Sequence, residues 1–231
     1  MKASIRDVDV AGKRVLVRED LNVPLKNGQV EDDTRIQAAA PTLKELAERG
    51  AEVVVTSHLG RPKGGPDPEL SLEPVARQLA ERLGMPVAFA RDCVGAIAQE
   101  AVRSLRPGQV ALLENVRFHP EEEKNDPLFA RALADLAQIY CNDAFGSSHR
   151  AHASVVGVAE YLPAYAGDLM LAELEALHRA LDEPRRPLVA IVGGAKVSTK
   201  AGVLRHLLPR VDVLVVCGAM ANTFFKARGL E

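Results

Sequence analysis

No apolar stretch in these 231 residues approaches the ~20 that a helix needs to cross a bilayer. The opening, Met1-Lys2-Ala3-Ser4-Ile5-Arg6-Asp7, is not followed by the apolar core of a signal peptide. Cysteine is scarce: Cys93, Cys141 and Cys217 are odd in number, far apart and without CxxC spacing. That excludes a disulfide framework and suits buried thiols in a reducing cytoplasm, where the chain is expected. An excess of charge of one sign is also missing. Twenty-nine Lys+Arg against 31 Asp+Glu give a formal net charge of −2, so any basic site is local, and neither nucleic acid nor an anionic membrane is an expected partner. Internal repeats and low-complexity tracts are absent. What is there, 47% apolar and 26% charged, matches an ordinary globular protein with length for one large domain or two modest ones.

Short apolar runs alternate with helical patterns almost to the end. The sequence predicts strands over Arg14–Arg18, Glu52–Ser57, Val87–Ala90, Val110–Glu114, Ile139–Asn142, Leu188–Val192 and Val211–Cys217. Several are apolar at consecutive positions, as strands covered on both faces should be. Between them lie helices. Val75, Leu79 and Leu83 repeat every four residues, with Pro74 near the start and Gly84 just past the end. This alternation predicts an α/β fold with a parallel, doubly wound sheet and right-handed crossovers. The seam lies between Gly167 and Pro187, where a Leu-rich helical stretch runs into Asp182-Glu183-Pro184-Arg185-Arg186-Pro187. The expected organisation is a first domain over 1–167, a connecting helix and hinge over 168–186, and the start of a second domain over 187–231. Two strands and two helices follow Pro187, which should leave Val189, Ile191, Leu214 and Val216 without full cover; the expectation is a truncated second domain.

Arginines and histidines cluster where strands end: Arg18, Arg35, His58, Arg61, Arg117, His149 and Arg150 lie beside apolar runs or in the turns after them. Basic groups at the mouth of a parallel sheet point to an anion site. In Arg18-Glu19-Asp20-Leu21-Asn22-Val23-Pro24, Asp20 and Asn22 leave a strand on the same side and can accept hydrogen bonds from hydroxyls; an Asx-rich turn stopped by Pro24 is the alternative. Arg35 follows a helix cap at Asp32-Asp33-Thr34, and taken in isolation it reads as an exposed first-turn arginine. Ser57-His58-Leu59-Gly60-Arg61-Pro62 is more specific. Gly60 permits close backbone approach, and an arginine can take a phosphate or carboxylate bidentately. Glu114-Asn115-Val116-Arg117-Phe118 and Asn142-Asp143-Ala144-Phe145-Gly146-Ser147-Ser148-His149-Arg150-Ala151-His152 repeat the pattern. His149-x-x-His152 lacks a third ligand of compatible spacing, so no metal site is expected.

Further on, Gly193-Gly194-Ala195-Lys196-Val197-Ser198-Thr199-Lys200 joins a strand to a helix. Its glycines admit a phosphate, the helix start offers free N–H groups, and Lys196 and Lys200 share a face if both are helical. It is neither GxxxxGK[ST] nor GxGxxG, which removes the glycine fingerprint that a dinucleotide-dependent dehydrogenase would need. Gly218 and Ala219 make a similar turn that can flank a purine, or an ordinary strand–helix turn.

Taken in order, these segments closely resemble phosphoglycerate kinase of the bacterial type, over essentially the whole chain. The resemblance implies an N-terminal domain that binds 3-phosphoglycerate or 1,3-bisphosphoglycerate through Asp20, Leu21, Asn22, Arg35, His58, Leu59, Gly60, Arg61, Arg117 and Arg150. It implies a C-terminal domain that binds Mg-ADP or Mg-ATP through Gly193, Gly194, Ala195, Lys196, Lys200, Gly218 and Ala219. Mg2+ would be held mainly by the nucleotide and by residues outside this chain. Cys217 stands where the family commonly has glycine. Arg35, Lys196 and Lys200 are the implied catalytic groups, in a soluble monomer of glycolysis that transfers phosphate directly between 1,3-bisphosphoglycerate and ADP after the hinge closes. A chain that only binds 3-phosphoglycerate is the alternative.

Overall fold

The computed structural model describes residues 3–230. Its elements are β1 (Arg14–Arg18), the hairpin β2 (Leu25–Lys26) and β3 (Gln29–Val30), α1 (Thr34–Glu48), β4 (Glu52–Thr56), α2 (Glu73–Leu83), β5 (Val87–Ala90), α3 (Gly95–Arg103), β6 (Val110–Leu113), α4 (Pro127–Ala134), β7 (Ile139–Asn142) and β8 (Ala164–Ala166). After them come α5 (Asp168–Leu181), β9 (Val189–Gly193), α6 (Ala201–Leu207), β10 (Val213–Cys217) and α7 (Ala219–Ala227). Two compact units result, Met1–Glu173 and Leu174–Glu231, and the division between them falls within α5.

The first unit is built on a six-stranded sheet in the order β5-β6-β4-β1-β7-β8, parallel throughout. Alternation along each strand divides the core in two. Val15, Val17, Val53, Val55, Val110, Leu112, Ile139 and Cys141 face one side, with Ile36 and Leu43 of α1 and Val75 and Leu79 of α2. Leu16, Val54, Ala111, Leu113 and Tyr140 face the other, with Val102 of α3 and Leu133 of α4. Apolar cover on both faces is why these strands read as continuous apolar runs. α2 begins with Pro74 in its first turn and ends at Gly84, whose φ of 68° lets its N–H reach back to Ala80 O.

At several places the structure departs from the sequence-based expectation. The β2–β3 hairpin and β8 are two and three residues long, too short for a periodic signal. α1 starts where Asp32-Asp33-Thr34 suggested, but Asp33 caps no N–H with its side chain; it binds Arg82 Nε of α2 at 2.5 Å, and Asp32 Oδ1 takes the Thr34 N–H at 2.8 Å. β10 begins two residues late because the Val211 N–H still bonds Leu207 O at the end of α6.

In the second unit β9 and β10 pair in parallel, Val189 opposite Val213 and Ile191 opposite Val215. These four residues share the uncovered face, and Ile191 is 70% exposed. Val189, Ile191, Leu214 and Val216 all lack full cover, as expected, but on β10 Val213 and Val215 are more exposed than the expected pair. Leu214 and Val216 are half-buried, because strand positions alternate and the register puts the odd-numbered residues outward.

Candidate anion site at the carboxyl edge of the sheet

In a parallel sheet every strand ends at the same edge. The segments after β1, β4, β6 and β7 therefore gather there, beside β1, where the strand order changes direction. Those are the segments in which Arg18, His58, Arg117 and Arg150 lie.

Arg18, the last residue of β1, is 1% exposed. Its guanidinium donates to Ser154 Oγ at 2.9 Å from Nε, to the Glu19 carbonyl from Nη1, and to His58 Nδ1 at 3.1 Å from Nη2. None of these partners is a carboxylate, so among the described residues this buried cation has no direct counter-ion, and an anion is what it lacks. Ser154 is held in turn by buried Glu122, which accepts from its hydroxyl at 2.6 Å and its N–H at 2.8 Å. Because an arginine can only donate, His58 must accept at Nδ1 and carry its proton on Nε2. Burial, then the charges of Arg18, Arg117, Arg150 and Arg35, push the His58 pKa down to about 2. Four guanidinium groups thus bear on one neutral imidazole, which is the convergence an anion site requires.

The surrounding polar groups form one network. Asn22 Oδ1 accepts the Gly60 N–H at 2.9 Å, tying the β1 loop to the β4 loop. Gly60 has φ 60°, and a Cβ there would sit 2.6 Å from Leu70 Cδ2, so only glycine fits without displacement. Its carbonyl accepts from Arg117 Nη1 at 2.7 Å. Fully buried Asn115 braces both loops, accepting from the Leu59 and Arg117 N–H groups at 3.2 and 3.1 Å and donating to Leu59 O and Leu70 O at 2.7 and 3.0 Å. Arg117 Nε lies 3.4 Å from Glu123 Oε1 but without hydrogen-bond geometry, which leaves that N–H unpartnered. Leu21 is buried and contributes a backbone N–H to Ser57 Oγ at 2.9 Å.

Arg35, half exposed on α1, pairs with Asp20 Oδ1 at 2.6 Å. Asp20 in turn lies against Gly146, where a Cβ would come 2.9 Å from Asp20 Oδ2. Arg61 is exposed and Arg150 half-buried; neither has a carboxylate partner among the described residues, and Arg150 Nε meets only His149 Nε2 at 3.4 Å. His149 and His152 do not form a ligand set: His152 Nδ1 instead lies 3.8 Å from Glu122 Oε1. Asp92, Cys93 and His119 do bring three potential ligand atoms within 4.8 Å of one another. Asp92 Oδ1 already accepts from Cys93 N–H at 2.7 Å and meets His119 Nε2 at 2.8 Å, so the group serves as a tie between the β5 and β6 loops. Sequence reasoning missed Ser154 and Glu122 as the support of Arg18. Glu122 sits within Glu121-Glu122-Glu123, a run that reads as solvated surface.

In the second unit Gly193 ends β9 and Gly218 follows β10 with φ 68°. A Cβ on Gly218 would lie 3.4 Å from Gly194 O, and Gly194 O accepts the Met220 N–H at 2.9 Å, so the two strand-end turns pack together. Cys217 Sγ lies 3.0 Å from where a Cβ of Gly193 would be, which accounts for glycine opposite it. Ala195 is exposed beside them, and Ala219 opens α7. Lys196 and Lys200 are exposed and without ion pairs among the described residues, but they are not on one helix face. Lys196 is extended, a single 3-10 turn spans Val197–Thr199, and α6 begins only at Ala201. The i, i+4 argument does not apply where the chain is not α-helical.

A family model described as phosphoglycerate kinase matches residues 5–231. Curated phosphoglycerate kinases of Moorella thermoacetica and Rhodospirillum centenum are 58% and 59% identical over 99% and 98% of this chain, and 58% and 57% of their own length. Among solved structures, phosphoglycerate kinase from Coxiella burnetii matches with a TM-score of 0.89 and 46% identity, over 99% of this chain and 57% of that one. That from Pyrococcus horikoshii matches with 0.86 and 35%, over 99% and 58%. The chain spans less than two thirds of the length of these relatives. With a family match from residue 5 to residue 231, and the sheet-edge cluster of arginines in place, the chain belongs to the phosphoglycerate kinase family.

Proposed function

We propose that the first unit binds 3-phosphoglycerate or 1,3-bisphosphoglycerate at the carboxyl edge of its sheet, for reversible phosphoryl transfer with ADP and ATP. The observation that carries this reading is buried Arg18 with no carboxylate partner among the described residues, set among Arg35, Arg117, Arg150 and the Nε2–H of His58. In this reading the arginines hold the non-transferred phosphate and the carboxyl end, and Asp20 and Asn22 orient the hydroxyl. Arg61, Leu59 and Gly60 line the same loop. Arg35, half exposed on a long side chain and paired with Asp20, would exchange that carboxylate for the reacting phosphoryl oxygens. In the second unit Gly193, Gly194, Ala195, Lys196 and Lys200 would receive nucleotide phosphates, and Gly218 and Ala219 would flank the base. The domain division is placed at 1–167 and 187–231, joined over 168–186.

Phosphoryl transfer asks little covalent chemistry of a protein. It needs in-line placement, exclusion of water and positive charge around the equatorial oxygens, for which one added cation can be worth ~10³–10⁵ in rate. Arg35, Lys196 and Lys200 are the candidates. Magnesium prefers an all-oxygen octahedron, and the three-ligand group among the described residues contains a thiol. The described residues do not form a magnesium cage, so no step is assigned to the metal.

A second reading is favoured by the matched share of the relatives, 57–58% of their length: these residues by themselves bind phosphoglycerate without transferring phosphate. Calorimetry with 3-phosphoglycerate beside a coupled ATP assay separates the two. Heat with turnover supports the kinase, heat without turnover the binding chain, and no heat at millimolar ligand overturns both.

A further inference from the structure

Val15 and Val17 of β1, and Ile139 and Cys141 of β7, face the side of the sheet that packs on α1. Their register pairs Val17 with Cys141 and Arg18 with Asn142, and the ladder continues one step further, the Asp143 N–H donating to Arg18 O at 2.9 Å. The next positions on that face are Glu19 and Asp143. Neighbouring strands lie about 4.8 Å apart, so register alone sets these two acids side by side. Both are buried, at 0% and 2% exposure. Among the described residues no donor reaches Glu19 Oε1, Glu19 Oε2 or Asp143 Oδ2, while Asp143 Oδ1 accepts the Met170 N–H at 3.0 Å.

Two adjacent dry carboxylates would leave three oxygens without donors and two like charges in contact. A single proton between them removes one charge and supplies the missing donor. We propose that Glu19 and Asp143 hold one proton between their carboxyl groups, and that this pair is the positioning unit behind the loop of Asp20 and Asn22. The reaction it positions for is the one proposed above; the shared proton itself rests only on this geometry.

The groups around the pair agree with it. Arg18 is the cation that bears most on Glu19 among the described residues, and its guanidinium is already committed to Glu19 O, Ser154 and His58. Asp20 on the same loop and Asp168 at the start of α5 add acidic neighbours, and the buried Cys141 thiol of β7, held neutral by burial, lies on the same face. Burial, ahead of these neighbours, raises the pKa of both carboxyls. Gly167 leaves the room, since a Cβ there would come within 2.4 Å of Asp143 Oδ1.

The mechanical consequence follows from the chain. Glu19 directly precedes Asp20, and its carbonyl is anchored by Ser57 Oγ at 2.9 Å. Asp143 fixes the first turn of α5 through Met170. The protonated pair therefore fastens the Asp20–Asn22 loop to β7 and α5. A folded-state pKa above the unfolded value stabilises fully below the ordinary carboxylate range, and that contribution is lost as pH rises through the folded pKa. Ionising the second carboxyl pushes the pair apart and moves Asp20.

The test uses Glu19→Gln, which keeps shape and gives Asp143 a permanent donor, with Glu19→Ala as the contrast. Melting temperatures are read from about pH 5 to about pH 9. The expected result is that wild type and Glu19→Gln agree at the acid end and that the variant exceeds wild type by roughly 3–6 °C at the alkaline end. Glu19→Ala falls below both throughout. Calorimetry with 3-phosphoglycerate should show an alkaline loss of affinity in wild type that Glu19→Gln abolishes. Parallel pH slopes for wild type and Glu19→Gln overturn the shared proton, as does a Glu19→Gln protein no better than Glu19→Ala. An abolished melting slope with an unchanged affinity profile overturns the positioning role. If no protein binds 3-phosphoglycerate at any pH, the site reading fails and the positioning role with it, while the melting curves still decide the proton.

Discussion

Replacing Asn115 by alanine removes one side chain that closes four hydrogen bonds and is itself 0% exposed. Alanine strands two N–H donors, on Leu59 and Arg117, and two carbonyls, on Leu59 and Leu70. A stranded buried group costs about 1–3 kcal/mol, but such losses are not additive, and water entering the gap recovers part of them. The net expectation is about 3–5 kcal/mol. At roughly 2–4 °C per kcal/mol for a protein of this size, the melting temperature should fall by about 10 °C. The same bonds hold the Leu59–Gly60 backbone and the Arg117 N–H, so affinity for 3-phosphoglycerate should fall at least about tenfold at temperatures where the variant is folded. Circular dichroism melts and calorimetry measure the two effects. A shift under about 2 °C with unchanged affinity would refute the claim that Asn115 braces both loops.

Three further outcomes are expected. Arg35→Ala, in a version carrying the full length of the relatives, should cut kcat far more than it raises KM; equal losses would make Arg35 a binding group only. His58, held neutral with a pKa of about 2 against 6.5 unfolded, gives stability that is complete above pH 6.5 and is lost on acidification. Between pH 6.5 and 5 that amounts to about 2 kcal/mol, seen as a slope in denaturant midpoints that His58→Gln should lack. Gly60→Ala should lower the melting temperature by several degrees and weaken 3-phosphoglycerate binding, from a strained positive φ and the clash with Leu70.

Much of the first unit was legible because its strands are buried on both faces. Val15-Leu16-Val17 and Val53-Val54-Val55 have no polar alternation to confuse, and Gly84 marks a helix end by chemistry that admits few alternatives. The basic residues at strand ends were legible for the same reason: a charge directly after a buried run has only the sheet edge to occupy. The supports were not. Ser154 and Glu122 lie 136 and 104 positions from Arg18, and no local pattern announces a contact made only by folding. Glu19 beside Asp143 depends on β1–β7 register, which spacing along the chain does not encode. Lys196 and Lys200 share a face only if both are helical, and four-residue spacing does not reveal that an extended Lys196 and a 3-10 turn stand there instead. On β10 the outward set is odd-numbered because the parallel register with β9 decides it.

The central claim is that the side chains gathered at the end of β1 recognise one small polyanion together. Amide chemical shifts recorded during a titration with 3-phosphoglycerate test it directly. The account predicts that Asn22, Leu59, Gly60, Arg117 and Arg150 move together with a single dissociation constant that weakens as salt is raised. Shifts confined to unrelated surface positions, or five residues titrating with different constants, would contradict it.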